Sequence, residues 1–386
     1  MRPLNYKAIL FFCFTYSIVS CSSTKRIQSE QQTANISALK FLGEYDIPYG
    51  FSYNNTTIGG LSGIDYHAAD DLYYFICDDR SAINPARFYT AKIFIKQTGI
   101  DSIRFTAVKN LFQPNGDVYP SSKQDPYNTP DPEAMRYDPI QKKLVWSSEG
   151  ERIVRGKDTV LEDPSVRIIT TEGNYSDSFS LLSIARMQVT EKGPRQNSVF
   201  EGMTFADNYK TLFVNIEEPL YEDGPRADVT DNNALIRILK FDVSSKKNIN
   251  QYAYKLDPIA YQSNPSTGYK INGVPDILSL SNDKLLVIER SFSTGRLACT
   301  VKIFITDLSN ATDIKDNPSL KNNPGFKTAT KKLILNMDDL GIYIDNIEGV
   351  SFGPLLPNGH KTLLFVADNN FSPVEKSQLL LFEVLE

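Results

Sequence analysis

Four carboxylates head short apolar runs that recur about 70 residues apart. The segments are Leu61-Ser62-Gly63-Ile64-Asp65-Tyr66, Pro132-Glu133-Ala134-Met135-Arg136-Tyr137, Phe200-Glu201-Gly202-Met203-Thr204-Phe205, Pro275-Asp276-Ile277-Leu278-Ser279-Leu280 and Ile347-Glu348-Gly349-Val350-Ser351-Phe352. The second residue of each is polar, usually acidic, and is followed in most copies by a small one. Carboxylates brought to one point repel unless a cation binds, protons are shared or arginines intervene. Oxygen ligands without nitrogen or sulfur favour a hard cation, Ca²⁺ or Mg²⁺ with retained waters. Glu133, Glu201, Asp276 and Glu348 are therefore the candidate metal ligands, with Ser62 as the fifth member of the set. The competing reading makes each a structural cap that bridges neighbouring backbone amides.

The repeat also says what must position these acids. Each copy is followed by a turn and a second apolar run ending in polar residues, at Leu72 to Asp79, Leu144 to Glu149, Leu212 to Glu218, Leu285 to Arg290 and Leu363 to Asn369. Turn residues such as Ala206-Asp207-Asn208 make each pair a hairpin. Two more strand-like runs follow each of the first four hairpins, rich in Val, Ile, Phe, Tyr and Leu. The fifth is followed only by Gln378 to Val384, and the unpaired run Ala38 to Ile47 can supply its fourth strand. The expectation is an all-β propeller of five four-stranded blades, closed by the N-terminal strand, with six blades as the alternative. The polar stretch Asn310 to Thr330 falls within blade 4 as a loop.

In a propeller the first strand of each blade lines the channel and the second returns antiparallel to it. The start of one and the end of the other share a face. Around the acidic ring this places Asp78, Asp79, Arg80, Glu149, Glu217, Glu218, Glu289, Arg290, Asp368, Asn369 and Asn370. Arg80 and Arg87 carry planar forks suited to phosphate or carboxylate, or to plain ion pairs with adjacent acids. Glu149 or Glu218 would carry protons, while Asp79, Glu289, Arg290, Asp368 and Asn369 would contact substrate. The two histidines, His67 and His360, fall in hairpin turns on the opposite face, which argues against a His-rich zinc site or a Ser-His-acid triad. The acidic loop 222–233 lacks EF-hand spacing and reads as solvated. Walker, G-x-G-x-x-G, G-x-S-x-G and H-E-x-x-H motifs are absent.

The N-terminus reads as a secretory signal over 1–20: Arg2 and Lys7, the apolar run Ala8 to Tyr16, then small residues before Cys21. Ile18-Val19-Ser20-Cys21 resembles a bacterial lipobox, so Cys21 is the expected lipidated residue, with residues 21–37 a tether and 38–386 one domain. Simple cleavage and release is the alternative. That places the protein in the cell envelope, touching membrane through its anchor alone. Cys77 and Cys299 sit in apolar runs and read as buried free thiols. A formal net charge of -5 gives no footprint for nucleic acid. A small-molecule partner and a monomeric state are expected.

Read together, Gly59-Gly60-Leu61-Ser62-Gly63-Ile64-Asp65-Tyr66, Asp78-Asp79-Arg80, Ala86-Arg87-Phe88, Pro132-Glu133-Ala134, Phe200-Glu201-Gly202-Met203-Thr204-Phe205, Glu289-Arg290-Ser291, Asn346-Ile347-Glu348-Gly349-Val350-Ser351-Phe352 and Asp368-Asn369-Asn370-Phe371 resemble the phytase-like family labelled "esterase-like activity of phytase". The likeness runs from about Phe41 to Val384. It implies a secreted bacterial propeller, and its name implies hydrolysis of phosphomonoesters, although the histidine-acid phytase motif R-H-G-x-R-x-P is absent. The expected activity is metal-assisted hydrolysis of phosphate esters, the ion binding phosphate oxygens and lowering the pKa of an attacking water. Two other readings stand beside it: an envelope module that binds sugar, peptide or protein without catalysis, and a lactonase-like or esterase-like propeller enzyme.

Overall fold

A computed structural model describes residues 33–386. The expected signal segment over 1–20 and Cys21 lie outside the described residues. From Ala38 onward the chain forms five antiparallel sheets in a ring, and the described residues hold only three short 3-10 turns as helix. Blade 1 runs Gly63–His67, Leu72–Cys77, Arg87–Lys96 and Gly99–Asn110. Blade 2 runs Pro132–Asp138, Lys143–Ser148, Ser165–Thr170 and Tyr175–Ser178, and blade 3 Phe200–Ala206, Thr211–Ile216, Leu235–Asp242 and Lys247–Lys255. Blade 4 pairs Lys284–Ser293 with Thr300–Asp307 and then Thr330–Asn336. Its innermost position is split between Lys270–Gly273 and Ile277–Ser279, both paired to Lys284–Ser293. Blade 5 joins Asn346–Phe352, Thr362–Asp368 and Ser377–Leu385 to Ala38–Ile47. Five blades account for the ring, and the six-blade alternative is set aside.

The seam is closed by backbone hydrogen bonds between the two ends of the domain. Ala38–Ile47 pairs along its whole length with Ser377–Leu385, so the two ends of the domain share one sheet and the edge of blade 5 is covered. Just ahead of residue 38, Ile36 is buried between blades 4 and 5, and Ser37 N donates to Leu385 O at 2.8 Å.

Alternation along each strand explains the core. Successive side chains point to opposite faces of a sheet. On blade 1, Tyr73, Phe75 and Cys77 pack toward blade 5, while Tyr74 and Ile76 pack toward blade 2. The same division gives one apolar cluster at every blade-to-blade interface. Blades buried on both faces need strands without solvated positions, which is why these runs are so continuously apolar. Cys77 and Cys299 are both free and buried.

The small residue after the motif acid has a steric reason. A Cβ on Gly63 would lie 2.8 Å from Glu133 O, and one on Gly349 only 3.1 Å from Gly63 Cα. Inner strands converge there, and a side chain would push the blades apart. The 308–329 region is a loop, as expected, but a packed one: Ile314 and Leu320 bury against Leu235 and Ala253 of blade 3. It is pinned by Arg237, whose guanidinium holds both oxygens of Asp223 at 2.7 and 2.8 Å and donates to Asn317 O. Asp223 thus belongs to a fully buried ion pair, and the reading of 222–233 as a solvated loop fails at that residue.

Candidate metal centre

Three of the four motif acids sit at β-bulges. Pairing slips between Pro132 and Met135, between Phe200 and Met203, and between Ile347 and Gly349. A bulge leaves one residue out of the ladder and re-aims its side chain. Glu133, Glu201 and Glu348 are so released, and all three line one cavity of about 400 Å³ at the end of the channel. Blade 1 has Ser62 at this position, with its hydroxyl donating to Glu133 O at 2.8 Å.

The cavity wall adds Asp78 and Asp368, from the ends of second strands, and Asp131 and Glu217. Glu149 lies against it from blade 2. Two groups of carboxylates are tight enough to hold an ion: Asp131, Glu133 and Glu149, and Glu149, Glu201 and Glu217, each offering oxygens within 4.8 Å of one another. Glu149 is common to both. Its Oε1 also accepts from Val199 N at 2.5 Å, which fixes its orientation. The donor set is oxygen throughout, matching a hard cation that takes six to eight oxygens. Asp368 points the same way: Oδ1 accepts from Asn370 N, while Oδ2 is buried without a partner.

The cluster pays electrostatically for its crowding. Burial pushes the Glu149 carboxyl up to about 8, with Asp131 and Glu217 adding to the shift. Burial holds Glu133, Glu201, Asp78 and Asp368 well above the usual carboxylate range, reinforced by the charges of their neighbours. Burial raises Glu348 to about 7 and Asp131 to about 6, opposed by Arg290 and Arg80 respectively. Two arginines interrupt the acids. Arg290 donates to Glu217 at 2.7 Å and to Glu348 at 3.1 Å, bridging blades 3 and 5. Arg80 donates to Glu151 at 2.9 Å and lies 3.4 Å from Asp131. Each keeps a buried Nε without an acceptor.

Several expected site residues lie elsewhere. Asp276 lies below the ring, because the break in the inner strand of blade 4 carries it down the channel. There its carboxylate takes Arg136 Nη2 at 2.7 and 2.9 Å and the backbone N–H of Val350 at 2.9 Å. Arg136 also donates to the carbonyls of Ile64, Met203 and Ile277. One buried ion pair therefore ties all five blades together and closes the channel under the acids. Arg87 is fully buried and holds Asp79 at 2.7 Å and Thr57 O at 2.9 Å, off the cavity wall. Asp79 caps the loop after it, accepting from the backbone N–H groups of Ala82, Ile83 and Asn84.

Glu289 serves the interface between blades 3 and 4, accepting from Tyr254, Asp257 N, Asn272 and Lys331. Glu218 faces Ser198 and Arg226, and Asn369 holds Gly60 N and Phe371 N. Neither lines the cavity. Gly60 has φ +58, and a Cβ there would fall 2.0 Å from Asp78 Oδ1, so glycine is what lets that carboxylate approach. His67 lines a smaller cavity of about 60 Å³ at the far end of the channel, and His360 pairs with Glu383 at the surface.

Asp131 was not selected from the sequence. Its signal was present: it stands two residues before Glu133, between Pro130 and Pro132, where the rigid approach to the inner strand fixes its direction. Arg136 carries no such signal, because a charged residue inside an apolar run has the same local pattern whether it faces solvent or the channel.

A family model described as "Phytase-like: Esterase-like activity of phytase" matches residues 56–371. No curated protein matches the chain. Among solved structures, the α-L-arabinofuranosidase of Lactobacillus brevis is similar at 12% identity and TM-score 0.44, over 86% of this chain and 92% of that one. An exo-β-1,3-galactanase from Phanerochaete chrysosporium is 12% identical with TM-score 0.45, over 89% of this chain and 64% of that one. The periplasmic gluconolactonase of Pseudomonas aeruginosa is 9% identical with TM-score 0.35, over 86% and 87%. These likenesses carry no activity over to this chain.

Proposed function

We propose, from the premise that this chain belongs to the phytase-like family, that it is a divalent-cation-dependent hydrolase of phosphate esters working at the acidic mouth of its channel. The observation that carries the reading is the pair of carboxylate groups sharing Glu149. Asp131, Glu133, Glu149, Glu201 and Glu217 would hold the cation, Ca²⁺ or Mg²⁺. A bound ion supplies charge neutralisation for phosphate oxygens and an acidified water. The rest falls to the protein. Arg80 and Arg290 stand on opposite sides of the cavity and meet a phosphate with guanidinium donors. Water adds to phosphorus as the P–O bond to the alcohol breaks, and one water proton passes to the departing alcohol oxygen. Glu348, raised to about 7 and outside both carboxylate groups, has the proton affinity suited to that transfer at neutral pH.

We also propose that Cys21 anchors the domain in the cell envelope through lipid, which mass spectrometry of the mature N-terminus tests. For the activity, the test is a panel of phosphomonoesters, carboxyl esters and lactones with and without Ca²⁺, using wild type, Glu133→Gln and Glu201→Gln. The expected result is Ca²⁺-dependent phosphate release that each variant lowers by roughly 100-fold or more. Absence of cation-dependent turnover on every phosphomonoester overturns the reading in favour of a binding module, and turnover of lactones or carboxyl esters alone moves it to that class.

A further inference from the structure

The cavity is chemically lopsided. Blades 1, 2, 3 and 5 line it with polar groups only, including nine carboxylates, whereas blade 4 supplies Tyr269, Ile271, Phe292, Leu297 and Cys299 besides Arg290. The cause is local. Lys284–Ser293 is longer than the other second strands, and its far end, Arg290 to Ser293, pairs with Lys270–Gly273 above the channel. That extension stands at the mouth as a wall. Ile271 and Phe292 are register partners within it, and Tyr269 lies 6.2 Å from Phe292, ring to ring.

The outer part of the wall is open. Leu297 is 86% exposed and Tyr269 56% exposed. Single exposed apolar residues are ordinary, but several converging on a polar pocket mark a ligand surface. The acidic side constrains the ligand in the opposite sense. Both arginines already serve carboxylates, Arg290 at Glu217 and Glu348 and Arg80 at Glu151. One phosphate can be met by the arginines and a bound cation together. Further phosphates on the same molecule would face unneutralised carboxylates or an apolar wall, and both are unfavourable.

Resting on the hydrolase reading above, we propose that the substrate is a phosphate monoester of an apolar alcohol, aryl or alkyl, rather than a polyphosphorylated polyol. The phosphate sits among the acids and cation, and the apolar group lies on Tyr269, Phe292 and Leu297.

The test compares kcat/KM for 1-naphthyl phosphate, glycerol 2-phosphate and inositol hexakisphosphate, with Ca²⁺, in wild type, Leu297→Ser and Tyr269→Ser. Both side chains are exposed, so the fold should tolerate the changes. Naphthyl phosphate is expected to exceed the other two by roughly 10-fold or more, and each variant to lower it by roughly 10-fold while leaving glycerol phosphate within about twofold. Equal or better use of either polar ester, or equal losses on all three, overturns the proposal. A fluorescence titration with a non-hydrolysable naphthyl phosphonate separates the two readings. If no ester turns over, the hydrolase reading falls; weaker phosphonate binding in both variants then still supports the wall, and unchanged binding overturns it.

Discussion

Replacing Glu149 with Gln should stabilise the metal-free protein at alkaline pH while abolishing its response to Ca²⁺. The carboxyl is buried and raised from 4.5 to about 8. Between those values the unfolded chain has lost this proton and the folded chain has kept it, so stability falls as pH rises from about 4.5 and levels off above about 8. That gap corresponds to at most about 5 kcal/mol, and because neighbouring acids can redistribute protons the expected gain in Glu149→Gln is about 1–3 kcal/mol. The Gln Oε1 still accepts from Val199 N, so the fold keeps its local bond. The assay is urea unfolding at pH 5 and pH 8.5, with chelator or with Ca²⁺. Wild type should gain stability from Ca²⁺ mainly at pH 8.5, where the ligands must otherwise ionise unpaired. The variant should match wild type closely at pH 5, exceed it at pH 8.5 in chelator, and gain little from Ca²⁺. A variant no more stable than wild type at pH 8.5 without metal would refute the electrostatic reasoning.

Other perturbations test the framework. Asp276→Ala leaves Arg136 buried and unpaired at the junction of five blades, and urea titration should show a loss of about 3–5 kcal/mol. The double replacement Arg136→Met with Asp276→Leu should recover much of that loss, because neither charge is then stranded. Removing residues 1–47 uncovers the Ser377–Leu385 edge, and size-exclusion chromatography should show aggregation in place of a monodisperse domain. Arg87→Lys should cost about 2–3 kcal/mol by breaking the fork to Asp79 and Thr57, while leaving Ca²⁺ affinity unchanged in a calorimetric titration.

The fold was legible because period-2 alternation and the recurring acid-plus-small-residue segment are both direct images of the propeller. Gly63 and Gly349 are small where inner strands nearly touch, and Ala38–Ile47 was orphaned because its partner lies at the other end of the chain. The site was legible only as far as the repeat predicts a face. Glu133, Glu201 and Glu348 are marked by the repeat as heads of inner strands, and the structure brings all three to one cavity. Asp276 occupies the same place in the pattern, but a break in its strand, invisible in local composition, lowers it onto Arg136. Asp79, Arg87, Glu289 and Asn369 stand at strand ends beside the mouth, yet their side chains turn to backbone and ion-pair partners. Strand position fixes which end of the channel a residue reaches; its side-chain direction depends on partners brought in from other blades.

The central claim is that these acids converge to hold a divalent cation, and diffraction from crystals grown with Ca²⁺ tests it most directly. The account predicts an anomalous peak within about 2.6 Å of a Glu149 oxygen and of oxygens from at least two of Asp131, Glu133, Glu201 and Glu217. An ion-free cavity at saturating Ca²⁺, with those carboxyls bonded only to one another and to Arg80 and Arg290, would contradict it.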